Sequence, residues 1–400
     1  MPETSNSPDV QDSIRKISAA ISTIGNSRLH LVGGAVRDSI LGKQSKDNDF
    51  VVCEMPFSYT QVDEALKAIV TALSTIPDAK VKEVGKSFGI VKAVIDGHDF
   101  DFAIPRMAET KVGNKHTDFV VELDPSASIE VDLGRRDFTM NAVAATDGWD
   151  IVDPFGGIAD IKAGIIRSVG DPDKRFEEDP LRMLRALQFA SRFGFEIEIN
   201  TWNSLVKNIG LLKHVTGERV FEEMRKAYAK SHWKNDFNML LVRSGAGKTL
   251  FGTIAPFSVL HKMTGDELVE VQFVAMFAVM GDFSVLKMPT HIIELIELFR
   301  NVAKIQTDPA NAKEPWEFVG LLKHKLPLIV AIVPELTELV GKMIVTPLLP
   351  KELAVSGGDL LAAGMKGKEI GEAQRKMLSA LWNNKVSNNK EELMAFLQKV

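Results

Sequence analysis

Leu31-Val32-Gly33-Gly34-Ala35-Val36-Arg37-Asp38, with Lys46-Asp47-Asn48-Asp49-Phe50-Val51-Val52-Cys53 a short way on, is the stretch from which the rest of the chain can be read. The apolar run ending at Val32 has strand character, and two glycines followed by a helical pattern close it. Glycine there permits close backbone approach to a phosphate, and the free N–H groups at the start of the next helix favour an anion. Arg37 falls one turn into that helix, within reach of a triphosphate oxygen. Asp47 and Asp49 head a second apolar run, where the two-residue period of a strand sends both carboxylates to one face, about 6–7 Å apart. Oxygen ligands so spaced suit a divalent metal ion.

The segment Asp99-Phe100-Asp101-Phe102-Ala103 repeats this alternation of acid and apolar residue. If it lies beside the first strand, a third carboxylate converges on the same spot. Three carboxylates on one sheet face are what two Mg²⁺ ions ~3.5–4 Å apart require in phosphoryl or nucleotidyl transfer. An isolated Asp-x-Asp is more often a solvated strand end. Its company, Gly33-Gly34, Arg37 and Lys46 in that order, favours the chemical reading.

Around this centre, short β-rich runs alternate with helical patterns from about 29 to 165, the reading of a small α+β head with a mixed sheet. Residues 1–28 form a polar tail and one amphipathic helix, with Ile14, Ile17, Ile21 and Ile24 at helical spacing. From 166 onward nearly every segment has helical period. We expect a helical neck over 166–235 and a helical body and tail over 236–400. In the neck, Glu178-Asp179-Pro180 begins a helix with acids at its positive end, and Arg182 and Arg185 follow on one face. Residues 326–333 and 344–349 read as core, and Ser356-Gly357-Gly358 and Lys366-Gly367-Lys368 as turn chemistry.

With 400 residues, 45% of them apolar and 25% charged, the chain has material for two or three domains and excludes wholesale disorder. The 48 Lys+Arg against 53 Asp+Glu give a net charge of −5, so any contact with RNA is local. One cysteine, Cys53, makes no internal bridge, the start of the chain is polar and acidic, and no run approaches membrane-spanning length. These features imply a cytoplasmic protein that does not enter a membrane.

From about 29 to 230 the chain resembles the tRNA nucleotidyltransferases that add CCA and the bacterial poly(A) polymerases, members of the DNA polymerase β superfamily of nucleotidyltransferases. Six ordered blocks carry the resemblance. They are Leu31 to Asp38, Lys46 to Asp49, Arg135-Arg136-Asp137-Phe138-Thr139-Met140-Asn141-Ala142, Asp153-Pro154-Phe155-Gly156-Gly157, Arg175 to Arg185, and Gly217-Glu218-Arg219-Val220-Phe221-Glu222-Glu223. The resemblance implies that Asp47 and Asp49 hold two catalytic Mg²⁺ ions with a third acid, Asp101, or Asp99 as second choice. It implies that Gly33, Gly34, Arg37, Arg136, Asp137 and Asn141 contact the triphosphate and ribose. Asp179, Arg182 and Arg185 would present a protein edge that selects C or A without a template, since a carboxylate accepts from an exocyclic amine while guanidinium donates to a ring nitrogen or carbonyl.

The activity so implied is attack of an RNA 3′-OH on the α-phosphorus of CTP or ATP, releasing pyrophosphate. The implied partners are CTP, ATP and the acceptor end and elbow of tRNA, with no obligate protein partner. Residues 211–234, with six Lys+Arg against three Glu, belong to the expected grip on tRNA. Poly(A) polymerase, or an enzyme adding only CC or only A, is the alternative, and a non-catalytic RNA-binding relative a remote one. The chain departs from the family pattern in carrying Gln188 where many members have a third Arg. Arg106-Met107-Ala108-Glu109 is one residue longer than the usual Arg-x-Glu, and neither Arg106 nor Glu109 is placed in the site. No histidine-based phosphohydrolase pattern is found among the scattered His214, His232, His261, His291 and His324.

Overall fold

The computed structural model describes residues 8–45, 48–59, 61–84, 89–111, 119–146, 148–230, 234–252, 286–304, a few positions between 319 and 326, and 337–399. Two compact units divide the chain, Met1–Leu250 and Phe251–Val400.

In the first unit, helix α1 (Pro8–Ile21) is followed by strand β1 (Arg28–Val32), helix α2 (Gly34–Ile40) and strand β2 (Asp49–Cys53). Helix α3 (Val62–Leu73) leads to strands β3 (Lys80–Val84), β4 (Ile90–Ile95) and β5 (His98–Ala103). A hairpin of β6 (Arg106–Lys111) and β7 (Phe119–Leu123), helix α4 (Ile129–Gly134), strands β8 (Ala144–Thr146) and β9 (Ile151–Val152), and helix α5 (Gly157–Ala163) complete the head. Seven strands form one mixed sheet in the order β3-β4-β5-β2-β1-β8-β9. Only β2 and β5 pair in parallel within it, and their register sets Asp49 beside Asp101 and Phe50 beside Phe102.

Alternation explains why the acids stand where they do. Phe50, Phe100 and Phe102 turn to one face and stack on each other, with the Phe50 and Phe102 rings 5.8 Å apart. Ile14, Ile17, Ile21 and Ile24 join the same core with Leu66 and Ile69 of α3, so the amphipathic stripe read at the N-terminus is a buried face of the head. The opposite face of β2 carries Val51 and Cys53 into a second core with Ile129, Leu133 and Ala144. Strand β2 is thus covered on both faces except at its first residue, where Asp49 is exposed. Burial pushes the Cys53 thiol far up, leaving it an inert apolar filler.

The helical part of this unit begins after β10 (Ile165–Ile166). Helix α6 (Pro172–Glu178) runs into α7 (Leu181–Phe193), then β11 (Glu196–Ile197), which pairs in parallel with β10, then α8 (Ile199–Asn208), α9 (Gly217–Lys230) and α10 (Lys234–Ser244). Asp171 caps α6, accepting from the Asp173 N–H. Pro180 is the N-cap of α7, so the helix start read at Pro180 is in place. Helix α7 packs on α9 and α10, where fully buried Tyr228 bonds Asn238 and sets its ring edge-on to Phe237.

Within the second unit, a helix spans Thr290–Lys304, and the C-terminal helices Gly357–Ala362, Lys368–Trp382 and Lys390–Leu397 close on Leu360, Met377, Leu378 and Leu393. Ser356 and Asp359 form a capping box, so Ser356-Gly357-Gly358, read as a turn, instead opens a helix, whereas Gly367 of Lys366-Gly367-Lys368 takes the positive φ of a turn. Leu326, Leu348 and Leu349 are buried, whereas Ile344 and Val345 are exposed and are not core. They close the helix Thr337–Val345, whose buried residues Val340 and Met343 are three apart, and the helical period turns its last two residues away from that side. Residues 327–333 lie outside the described residues.

Candidate active site

A cavity of about 690 Å³ opens in the first unit between the acid end of β2 and β5, the α2 and α4 loops, and the start of α7. Gly33, Gly34, Arg37, Asp49, Asp101, Arg136, Asp137, Asn141, Asp179, Arg182 and Arg185 all line it. Asp47, the remaining residue of the sequence reading, lies outside the described residues with Lys46.

Register, not alternation, separates the two candidates for the third acid. Asp101 is the Cα partner of Asp49 across the parallel ladder, while Asp99 pairs with Val94 and does not line the cavity. Neighbouring strands put two carboxylates within roughly 5 Å at the backbone, a fit for a hard cation that takes oxygen ligands. Lys92, opposite Asp101 on β4, already sets its ammonium 3.0 and 2.7 Å from the two Asp101 oxygens. That bond with Asp101 raises the Lys92 pKa. Among the described residues no group of three metal-ligating side chains is gathered.

A chain of bonds runs across the cavity floor. Arg37 donates from Nη1 to Asn141 Oδ1 at 2.6 Å and from Nε to Asp38 at 2.9 Å, with its guanidinium 4.7 Å from the Phe193 ring centre. Asn141 Nδ2 donates to Asp137 Oδ1 at 3.0 Å, and Arg185 donates from Nε to Asp137 Oδ2 at 2.8 Å. Burial would raise the Asp137 pKa, but the Arg185 charge and the bonds from Asn141 and the Phe138 N–H hold it below the usual carboxylate range. Arg185 also faces Glu223 at 3.7 Å, and Lys226 donates to Glu223 Oε1 at 2.9 Å.

Two further groups set the cationic wall. Buried Asp132, which sequence reasoning did not single out, accepts from Arg136 at 2.8 and 3.1 Å and from Arg135 at 3.4 Å. Desolvation opposes its ionisation, and the two guanidinium charges overcome that and lower its pKa. Arg136 Nη1 would stand 3.2 Å from a Cβ at Gly33, whose φ is +70°. A side chain there meets both a backbone penalty and the guanidinium.

On the α7 side, Arg182 donates to Glu178, Arg175 O and Arg135 O at 2.8, 3.1 and 3.0 Å. These fix its plane and leave its Nε–H and one Nη2–H unassigned among the described residues. Asp179 Oδ1 accepts from the Leu181 N–H at 3.1 Å and Oδ2 from Arg219 at 2.7 Å. A carboxylate has about four acceptor positions, so each oxygen keeps capacity for another donor. Gln188 is buried at the cavity wall, its Nε2 without a partner among the described residues. Arg106, left outside the site by the sequence reading, also lines it, while the Glu109 side chain is not among those described.

Residues 29–167 match the family described as "Poly A polymerase head domain", and 194–257 match "Probable RNA and SrmB- binding site of polymerase A". A CCA-adding enzyme of Geobacillus thermodenitrificans is 29% identical over 392 residues, 92% of each chain. The chain belongs to the family of CCA-adding enzymes and poly(A) polymerases. A multifunctional CCA protein of Nitrosomonas europaea is 36% identical over 220 residues, 53% of this chain and 47% of its own. Among solved structures, the CCA-adding enzyme of Bacillus stearothermophilus in complex with CTP aligns over 98% of both chains at 26% identity and a TM-score of 0.68. At 22% identity and a TM-score of 0.63, the Thermotoga maritima CCA-adding enzyme complexed with tRNA shares the fold. Within this family frame the head match ends at 167, beside β10, and the cavity draws on residues both before and after that point.

Proposed function

We propose that the chain adds or repairs the 3′-terminal CCA of tRNA from CTP and ATP, without a template and with release of pyrophosphate. One observation carries the reading: a single cavity collects the paired acids Asp49 and Asp101, a guanidinium wall, and the Asp179–Arg182 edge. The full-length likeness to CCA-adding enzymes supports this product over a poly(A) tail.

Nucleotidyltransferases of this family use divalent metal ions. Two Mg²⁺ ions held by Asp49, Asp101 and Asp47 would supply a more acidic 3′-OH and neutralise the leaving pyrophosphate. The chain's own residues do the positioning. Gly33 and Gly34 let the triphosphate lie against backbone N–H groups at the start of α2. Arg136, turned by Asp132, faces that segment as a fixed positive charge, and such preorganised charge supplies much of the rate. Arg37 bonds Asn141, Asn141 bonds Asp137 and Arg185 bonds Asp137, and this linked set would frame the ribose and phosphates.

Base choice falls to Asp179 and Arg182. Asp179 accepts from the exocyclic amine of cytosine or adenine, and Arg182 donates to the adjacent ring nitrogen. Guanine and uracil present the reverse polarity there and leave a charged group unpaired. A cytosolic setting is part of the proposal, and among the described residues no helix is long and apolar enough to cross a membrane.

The test is extension of tRNA transcripts ending before CCA, after C and after CC, with CTP and ATP supplied singly and together. Addition of two C from CTP and then one A is expected. Long A tails on any RNA would replace this reading with poly(A) polymerase.

A further inference from the structure

The acid pair forms the wall between two clefts. Beyond the cavity already described, Asp49 and Asp101 also line a groove of about 720 Å³ on the sheet face of β5, β4 and β3, with Lys80, Lys82, Lys92 and Asp99 as its other charged walls. Strand order places β1, which ends at Gly33 and Gly34, on one side of the acids and β4 and β3 on the other. In-line displacement requires the attacking hydroxyl on the side of phosphorus opposite the departing pyrophosphate. With the triphosphate on the Gly33, Gly34 and Arg136 side, the hydroxyl arrives from the β4–β3 side.

The lysines there are arranged against the interest of the fold. Lys82 lies directly opposite Lys92 across the β3–β4 ladder, and Lys92 directly opposite Asp101. Lys80 and Lys82 are two apart on β3, so all three ammonium groups share the face that Val91 and Ala93, buried in the core, turn away from. Like charges directly across a ladder destabilise it. Asp101 offsets Lys92, but no described acid makes an ion pair with Lys80 or Lys82. A polyanion laid along this row relieves the repulsion, and the row reaches the acids over roughly 10 Å, two strand spacings.

We propose that Lys80, Lys82 and Lys92 seat the phosphates of the RNA 3′ strand and lead its terminal hydroxyl to Asp49 and Asp101. This rests on the nucleotidyl-transfer reading above. A nucleoside triphosphate is the rival anion, but it already has a guanidinium wall in the first cavity, while the cations of the groove are lysines spread over two strands.

The experiment compares the wild-type chain with the double variant Lys80→Thr, Lys82→Thr, measuring dissociation constants without nucleotide for two RNAs. One is a tRNA transcript with a single-stranded 3′ end closing in CC, and the other is the same transcript trimmed to a blunt acceptor stem. The variant is expected to bind the first about five- to tenfold more weakly, with a log–log salt slope shallower by about 1, given ~0.7 per single-strand phosphate. It is expected to bind the trimmed RNA as the wild type does and to melt no lower, since the substitution removes a like-charge pair. Equal weakening for both RNAs, or for neither, overturns the proposal. So does a loss of CTP affinity in the variant, which would assign the groove to nucleotide. Extension by the wild type on the same RNAs tests the parent reading separately: long A tails would refute CCA addition and leave the two-RNA comparison intact.

Discussion

Asp101 stands level with Asp49 because two strands run parallel in one register, and that single alignment makes a carboxylate pair out of two separate acids. Under the proposed function, Asp49→Ala and Asp101→Ala each lower transfer by more than about 10³-fold, beyond the ~10²–10³ lost with one oxyanion donor. Circular dichroism should be unchanged, since Asp49 is exposed and Asp101 only half-buried. At the base edge, Arg182→Ala removes the donor to the ring nitrogen. Its expected signature is loss of discrimination, with UTP or GTP incorporated at a measurable fraction of CTP in single-nucleotide extension. Strand and helix periods, being local, set Asp47 with Asp49 and Arg182 with Arg185 on one face each, while the roles of these residues and of Gly33-Gly34 were legible only through the ordered motifs that carry the family resemblance. Asp132 was not legible, since nothing in its neighbourhood marks it until the chain brings Arg136 to it, and Glu223, although it closes a quoted motif, meets Arg185 only in the fold.

Among the elements, α4 and α5 brace the site from beneath. Asp132 of α4 holds both Arg135 and Arg136 while almost wholly buried, so Asp132→Asn leaves two cations without their counter-charge. Because those guanidinium groups are partly solvated, we expect a loss of about 2–3 kcal/mol, below the ~3–5 of a fully buried pair, read by urea denaturation. The acid dependence follows from sign. Asp132 and Asp137 have native pKa values below the ~3.9 of an unfolded Asp, so their stabilisation is full above that value and is lost as pH falls through the native pKa. Unfolding measured from pH 6 downward should show a shallower fall for Asp132→Asn than for the wild type. Gly157 opens α5 where a Cβ would stand 2.1 Å from the Thr139 carbonyl oxygen. Gly157→Ala must therefore push the 139–141 turn that carries Asn141, lowering thermal stability and raising the KM for CTP together, by about 1–3 kcal/mol in the former.

Over the whole molecule, a net charge of −5 confines RNA contact to local basic surface. In α9, Arg225 pairs with Glu222, Lys226 with Glu223, and Arg219 with Asp179, so three of the six cations read over 211–234 already have a carboxylate partner. Affinity for tRNA is accordingly expected to fall about 10²-fold between 50 and 200 mM salt, milder than a strongly basic binder, in filter-binding titrations. Every residue lining the cavity lies between Val32 and Lys226, inside one compact unit. The strand and helix periods and the charge balance are properties of neighbours along the chain, and they sufficed for an α+β head and helical segments after it, while the ordered motifs carried the family resemblance that implies nucleotidyl transfer. Which acid faces Asp49, which carboxylate steers Arg136, and which lysines flank the acids from the far side depend on register and on contacts between distant segments. Periodicity assigns a side chain to a face but carries no information about what lies opposite, and only the packed sheet supplies it.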